Sequence, residues 1–248
     1  MTLSIVINHC KARPDRVACL TEQRKVLAPH DGWFLVNDDP ALKPAGPTKV
    51  EWEKLQWNWA LGTQADHCLF MSDDTVLAPR FLDILHAMIA AKPDKVIGLL
   101  SNHPRAIELA DRGERWYRCN SWLVGPGYVV PREHLRRFYG WFTELPPGDA
   151  PGQQAHLNDD STLNEWITRH GPGESWHPLP TIIEAQDIET TWVSGDVHSR
   201  ERVNWRKVRT PVGSPHRWVD TPRAWDLDAM CDAEYWRREG PMMIVGES

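Results

Sequence analysis

The strongest constraint on the fold is an alternation of short apolar runs with helix-forming stretches in the first hundred residues. Runs rich in apolar and β-branched residues fall at residues 3–7, 33–36, 67–71 and 96–100. Each is short enough for a strand buried on both faces. Pro14 and Thr48 suit the first turns of helices that follow the first two runs, and a third helix is expected over residues 79–91. This order predicts an α/β fold with a mainly parallel sheet flanked by helices.

The alternation becomes irregular after residue 100. Residues 101–120 are polar, after which the pattern predicts elements in the order strand, helix, helix and strand, at residues 122–130, 131–141, 158–170 and 181–184. Residues 186–248 are rich in tryptophan and poorly periodic. We therefore expect one domain over residues 1–185 and a C-terminal extension over residues 186–248 that wraps it.

Composition narrows the class of protein. The net charge of −6 argues against a protein that coats nucleic acid by bulk electrostatics. The five cysteines are odd in number and lack CxxC spacing, which predicts neither a disulfide framework nor a zinc ribbon and favours a reducing cytoplasm. No apolar run approaches the roughly 20 residues of a membrane span. The fourteen tryptophans suit sugar or base stacking, although packing is the more frequent role of any single one.

Acidic residues follow two successive predicted strands. Asp38 and Asp39 come after the second strand, and Asp73 and Asp74 after the third. Ligands of open α/β sheets bind at that edge, and carboxylates on rigid strand ends suit a hard divalent cation that bridges a diphosphate. The competing interpretation is that Asp73 or Asp74 only caps the turn into the next helix.

The order of these features resembles the GT-A glycosyltransferases, particularly the inverting family 2 group, from residue 3 to about residue 171. The matching motifs, in chain order, are Ile5-Val6-Ile7-Asn8, Arg13-Pro14, Asp38-Asp39, Asn58 with Gly62, Ser72-Asp73-Asp74, Leu77-Ala78-Pro79, the segment from Gly125 to Pro131, and Asp159-Asp160-x-x-Leu163. Two positions depart from the family, since Ser72 stands where it has the first Asp of its metal motif and Asp159 where it has Glu. The compact layout is also similar to glycosyltransferases encoded by bacteriophages, which would place the protein in the host cytoplasm.

The resemblance implies a nucleotide-sugar half over residues 1–100, an acceptor half over residues 101–185, and roles for particular residues. The donor, expected to be a UDP-sugar, would be bound by Asn8, Arg13, Asp38, Asp39, Asp73, Arg206 and Lys207. Mn²⁺ or Mg²⁺ would be held by Asp74 and His198. Arginine suits the diphosphate because its planar fork donates two hydrogen bonds, although the basic run at residues 200–209 could equally be a solvated surface.

The same resemblance makes Asp160, beside Asp159, the general base that deprotonates the acceptor hydroxyl during inverting hexosyl transfer. A carboxylate at a helix N-terminus is stabilised in its charged form and can accept a proton at neutral pH. The alternative is structural, because Asn158, Asp159 and Asp160 are all good N-caps.

Two other functions stay open at this point. A nucleotidyltransferase also has acids at parallel strand ends, but it usually needs a glycine-rich loop after the first strand, and residues 8–13 contain no glycine. A non-catalytic domain of the same fold could bind carbohydrate or nucleic acid, and Ser72 favours it. The acceptor could be a glycan, a protein or a modified base in DNA, and a retaining outcome, the sugar and the oligomeric state also stay open.

Overall fold

A computed structural model describes residues 1–38, 47–100, 106–120, 127–144, 159–185 and 225–243. Within them the helices are α1 Pro14–Leu27, α2 Pro47–Gly62, α3 Phe81–Ala91, α4 Ala106–Asp111, α5 Arg132–Glu144, α6 Asp159–Arg169, α7 Leu227–Met230 and α8 Ala233–Trp236. The strands are β1 Leu3–His9, β2 Trp33–Asp38, β3 His67–Ser72, β4 Thr75–Leu77, β5 Ile97–Gly98, β6 Trp116–Cys119, β7 Gly127–Pro131, β8 Ser175–Pro178, β9 Ile183–Ala185 and β10 Met242–Met243.

Eight of these strands form one sheet in the order β10-β6-β8-β5-β7-β3-β1-β2, and β4 pairs with β9 in a separate ribbon. The β1–β2, β1–β3, β5–β8 and β6–β10 pairs are parallel, and the β3–β7, β5–β7 and β6–β8 pairs are antiparallel. Across the sheet β1, β2, β3, β5 and β8 therefore run one way. The predicted α/β class is confirmed, with β7 as an antiparallel strand at the centre of the sheet.

The sheet buries both of its faces. Along β1, Ile5 and Ile7 enter one core cluster whereas Val6 enters the other. Along β3, Leu69 and Phe70 divide in the same way. Because neighbouring side chains of a strand point to opposite faces, a strand covered on both sides needs a continuous apolar run, which is what the sequence has at residues 5–7 and 68–71.

Helices cover each face. Phe81 and Ile84 of α3 pack into the first cluster, together with the buried side of α1. On the second face, Trp57 of α2 meets Phe138 of α5 edge-on, with ring centroids 4.8 Å apart, and Phe138 meets Trp166 of α6 at 5.9 Å. Such aromatic contacts add to the free energy gained by burying the rings.

The C-terminal stretch 225–243 packs against the sheet. β10 runs parallel to β6, and the Trp236 ring is fully buried at the end of α8. Its indole nitrogen donates to the Met230 carbonyl at 2.7 Å, while the Trp116 indole donates to the Trp236 carbonyl at 2.8 Å. Trp116 and Trp236 therefore serve packing. A domain boundary at residue 185 stays a prediction.

Two features of the described residues relate to the predictions made from the cysteine content and the hydropathy of the sequence. No disulfide joins the five cysteines, all of which lie in the described ranges. In those same ranges, no helix has the length and apolar character that crossing a bilayer requires.

The Trp236 contacts lead to a prediction about stability. Trp236→Ala should lower the free energy of unfolding by about 3–5 kcal/mol, because it removes a buried ring between α3 and β6 and leaves a cavity. Equilibrium urea unfolding measures the change. Trp33 is 47% exposed on the edge strand β2, so Trp33→Ala is the matched control and should cost about 1 kcal/mol at most. Equal losses in the two variants would contradict this account of the C-terminal stretch.

Candidate functional site

The carboxyl ends of β1, β2 and β3 meet at one edge of the sheet, which we call the carboxyl edge. Asn8 is level with Asn37 of β2 on one side and with Ser72 of β3 on the other. The Asn37 amide donates to Oδ1 of Asn8 at 3.2 Å and to the Trp52 carbonyl at 3.4 Å. The indole of Trp52 in turn donates to the Asp38 carbonyl at 3.1 Å. The last residues of β1 and β2 are therefore held together, and tied to α2, by side-chain hydrogen bonds as well as by the sheet.

Asp73 is the most enclosed acid at this edge, at 2% exposure. One carboxylate oxygen, Oδ2, accepts from Nδ1 of His9 at 2.8 Å and from the Cys10 backbone nitrogen at 2.9 Å. The other, Oδ1, accepts from the Arg16 guanidinium at 2.8 Å. A buried carboxylate costs much free energy unless it is paired and hydrogen-bonded, and these three donors meet that need.

Asp74 differs from its neighbour in being partly open to solvent, with 22% of its side chain exposed. The same Arg16 nitrogen that contacts Asp73 lies 2.8 Å from Oδ2 of Asp74, and the Ser72 hydroxyl donates to Oδ1 at 2.6 Å. Burial works against the charge of Arg16, but the carboxylates of Asp74 and Asp73 outweigh it and raise the pKa of Arg16. Arg16 is thus a permanent cation between the two acids.

The other residues predicted to bind the nucleotide-sugar donor differ in their exposure and contacts. Asp38 is exposed, and its carboxylate lies 3.6 Å from the Lys11 ammonium. The Arg13 guanidinium makes a forked contact with Asp15, at 3.0 and 2.6 Å, which lowers the pKa of Asp15. Asp39, His198, Arg206 and Lys207 lie outside the described residues.

Asp159 and Asp160 begin α6, as their N-cap character predicts. α6 is followed after a short link by β8, which runs in the same direction as β1. A helix and a strand that are joined by a short link commonly run in opposite directions, so the first turn of α6 is expected on the side of the carboxyl edge.

A further stretch of chain reaches Asp74 from the other side. In the small ribbon, Ala185 of β9 pairs with Thr75, the residue after Asp74. Ala185, the last described residue before the stretch in which the sequence predicts His198 as a metal ligand, therefore lies beside the turn of Asp74.

The acids at this edge fit a divalent cation in part. Each oxygen of Asp74 accepts one donor and retains a lone pair, and an ion such as Mg²⁺ needs one or two carboxylates when phosphates and waters complete its shell. Asp73 does not fit, because it is buried and holds three donors. Over the part of the chain that the structure describes, no group of three or more His, Cys, Asp or Glu side chains could hold a metal. Asp74 is therefore the candidate protein ligand at this turn.

Three residues at this edge were not predicted from the sequence: His9, Arg16 and Gln23, whose side-chain nitrogen donates to the Ser72 and Thr75 carbonyls. Arg16 and Gln23 are seven residues apart on α1, a spacing that places both on the face that also buries Leu20 and Leu27. Polar residues on the buried face of a helix were the available indication that this face meets polar groups.

Comparisons with known proteins give limited guidance. No protein-family model matches the chain, and no curated protein matches its sequence. Among solved structures, the catalytic domain of Drosophila β1,4-galactosyltransferase 7 in complex with xylobiose is similar at 12% identity and a TM-score of 0.40, over 93% of this chain and 79% of that one. A glycosyltransferase involved in glycosylation of the major capsid of PBCV-1 is similar at 12% identity and a TM-score of 0.36, over 82% of this chain and 99% of that one. Both similar structures are glycosyltransferases, and both TM-scores are below 0.5, so neither likeness decides the function of this chain.

The different surroundings of the two neighbouring acids predict different effects of the same substitution. Asp73→Asn should lower the free energy of unfolding by about 3–5 kcal/mol, because it removes one partner of a buried charge pair. Asp74→Asn should cost about 1 kcal/mol or less, since that side chain is partly solvated. Urea unfolding of the two variants checks the difference, and an Asp74→Asn variant that is the less stable of the two would refute it.

Proposed function

We propose that this protein is a glycosyltransferase of the GT-A type that moves a sugar from a nucleotide-diphosphate donor to a hydroxyl group, with its active site at the carboxyl edge. The observation that supports the proposal is that β2, which ends at Asp38, and β3, which leads into the Asp74 turn, lie on the two sides of β1, with Asn37 and Ser72 level with Asn8. An open α/β sheet binds its ligands at this edge. The arrangement agrees with the motif order from residue 3 to about residue 171.

The donor is proposed to lie across the ends of β1 and β2. The exposed carboxylate of Asp38 can accept hydrogen bonds from the hydroxyls of a ribose or from the nitrogen donors of a base. The side chains of Asn8 and Asn37 are hydrogen-bonded to each other, so this part of the surface beneath the proposed donor is polar and ordered. A UDP-sugar is the first donor to test.

The diphosphate is proposed to lie beside Asp74. A divalent cation held by Asp74, with the predicted His198, would supply Lewis-acid stabilisation of the charge that develops on the leaving diphosphate. The chain's own contribution is to hold that carboxylate still: Ser72 and Arg16 both contact it. Arg206 and Lys207 are proposed to contact the phosphate oxygens from the C-terminal stretch.

The transfer itself is proposed to be a single in-line displacement with inversion. The acceptor oxygen forms a bond to the anomeric carbon as the bond from that carbon to the diphosphate oxygen breaks. The leaving nucleoside diphosphate takes the electron pair, and the hydroxyl proton goes to the carboxylate of Asp160, next to Asp159. The N-terminal end of α6 favours the ionised form of an acid placed there, which a base at neutral pH requires.

Asp74 provides the test of this proposal. Wild-type protein should gain thermal stability with a UDP- or GDP-sugar in the presence of Mn²⁺, by about 2.7 kcal/mol when the ligand is at a hundred times its Kd. Asp74→Asn should weaken that binding by about tenfold or more, equivalent to about 1.4 kcal/mol. Asp31 lies just before β2 and so at the opposite edge, which makes Asp31→Asn the matched control that should bind as the wild type does.

The same experiment separates the competing functions. Transfer or hydrolysis of the nucleotide-sugar by the wild type, and its loss in Asp74→Asn, would support the enzyme. Metal-independent binding of carbohydrate with no affinity for a nucleoside diphosphate would favour a non-catalytic domain. Turnover of a nucleoside triphosphate with release of pyrophosphate would favour a nucleotidyltransferase.

DNA with a hydroxymethylated base is the acceptor whose recognition can be tested without knowing the sugar. The basic run at residues 200–209 carries five Lys or Arg residues, and counterion release by five phosphate contacts gives a slope of up to about −4.5 in a plot of log K against log salt concentration. Fluorescence anisotropy between 50 and 200 mM NaCl would measure it, with replacement of Arg206 and Lys207 by Gln as the comparison. Salt-independent binding would remove DNA as the acceptor and leave glycan or protein.

A further inference from the structure

The turn that carries Asp73 and Asp74 is hydrogen-bonded to a residue outside the family motifs. Gln23 of α1 is 2% exposed, and its side-chain nitrogen donates to two carbonyls. One is the Ser72 carbonyl at 2.9 Å and the other the Thr75 carbonyl at 2.8 Å. These two residues flank the two aspartates, so a single carboxamide ties together both ends of the turn.

The remaining contacts of Gln23 show that its nitrogen is the group that matters. Its side-chain oxygen has no hydrogen-bond partner among the described residues. Burial of an unpaired carboxamide oxygen is unfavourable, whereas an apolar side chain of the same length would fill this space without that cost. The compensation lies in the two donated bonds, each of which gives a turn carbonyl a donor.

The turn is anchored in two other directions. The Asp73 backbone nitrogen donates to the Asn8 carbonyl at 3.0 Å, which ties the turn to the end of β1. The Asp73 carboxylate is fixed by His9 and Arg16, as described above. Gln23 contacts the face of the turn that the partners of Asp73 do not contact. Asp74 is then the carboxylate that faces outward.

We propose that Gln23 is a positioning residue: it fixes the Ser72–Thr75 turn so that the Asp74 carboxylate is held in place for the diphosphate end of the donor. The proposal rests on the proposed function for the identity of that ligand. The role of Gln23 in fixing the turn does not depend on the proposed function. Gln23 touches no reacting atom, and it acts through the turn.

The test compares Gln23→Met with two variants of the same helix. Gln23→Met keeps the length of the side chain and removes its donors. Leu20→Ala removes a buried apolar side chain one turn earlier and lowers stability without removing a hydrogen bond to the turn, and Arg24→Met changes an exposed neighbour. Isothermal calorimetry with UDP and with GDP, each with Mn²⁺, should show Gln23→Met weaker by about tenfold, as for other residues that orient a ligand-bearing group. Leu20→Ala and Arg24→Met should bind as the wild type does.

A second measurement follows the turn directly. Hydrogen–deuterium exchange of peptides covering residues 72–77 should be faster in Gln23→Met than in Leu20→Ala, relative to the rest of each protein. Gln23→Asn keeps the amide but withdraws it by one methylene, and it should fall between Gln23→Met and the wild type in both measurements. It also carries the comparison if Gln23→Met does not fold.

The two measurements keep the two proposals distinguishable. Weaker binding and faster exchange in Gln23→Met, with little further loss of affinity when it is combined with Asp74→Asn, would support positioning through Asp74. Unchanged exchange and unchanged affinity would overturn it. If the wild type binds neither nucleotide, the proposed function fails, and the exchange comparison alone decides whether Gln23 fixes the turn.

Discussion

The buried carboxylate of Asp73 is the interaction on which the candidate site depends. It binds His9 and the Cys10 backbone at the end of β1 and Arg16 at the start of α1, while it belongs to the turn after β3. A charge removed from water requires partners in defined directions, so this acid fixes three separate segments relative to one another. The carboxyl edge is ordered because the cost of burying Asp73 is offset only in this arrangement.

Burial also explains why two adjacent and identical side chains have different chemistry. Asp73 faces inward and is fully engaged, whereas Asp74 faces the partly open side of the same turn. Arg16 contacts both and compensates one of their two charges. One negative charge therefore remains at the turn, and the partly exposed Asp74 can present it to a divalent cation or a hydrogen-bond donor. In the proposed active site Asp73 and Gln23 build the turn and Asp74 presents the ligand group.

The parts of the fold with long, apolar periodic patterns were predictable from sequence. Six elements, β1, α1, β2, α2, β3 and α3, fall close to where the apolar runs and helix-capping residues put them. The segment expected to be irregular, residues 101–120, instead contains α4 and β6. β6, β8 and β10 are two to four residues long and exist through pairing with distant chain, which no local pattern encodes. The strand expected over residues 122–130 is described as β7, Gly127–Pro131.

The site was predictable to a similar degree. That acids after two strands would meet at one edge follows from parallel pairing, and Asp38 and Asp74 do so. The sequence could not predict that Asp73 is buried and stabilises the turn whereas Asp74 faces its partly open side. This difference depends on which face of α1 packs inward. That face mixes polar Arg16 and Gln23 with apolar Cys19, Leu20 and Leu27, so the apolar stripe that normally reveals a buried face is interrupted.

The most direct test of the account is a crystal structure of the protein with a nucleoside diphosphate and Mn²⁺. The account predicts density for the diphosphate beside Asp74, with the nucleoside extending over Asn8 toward Asp38 and with Asp73 still bound to Arg16. A nucleotide bound elsewhere on the sheet, or one that reaches the carboxyl edge by displacing Arg16 from Asp73, would contradict it.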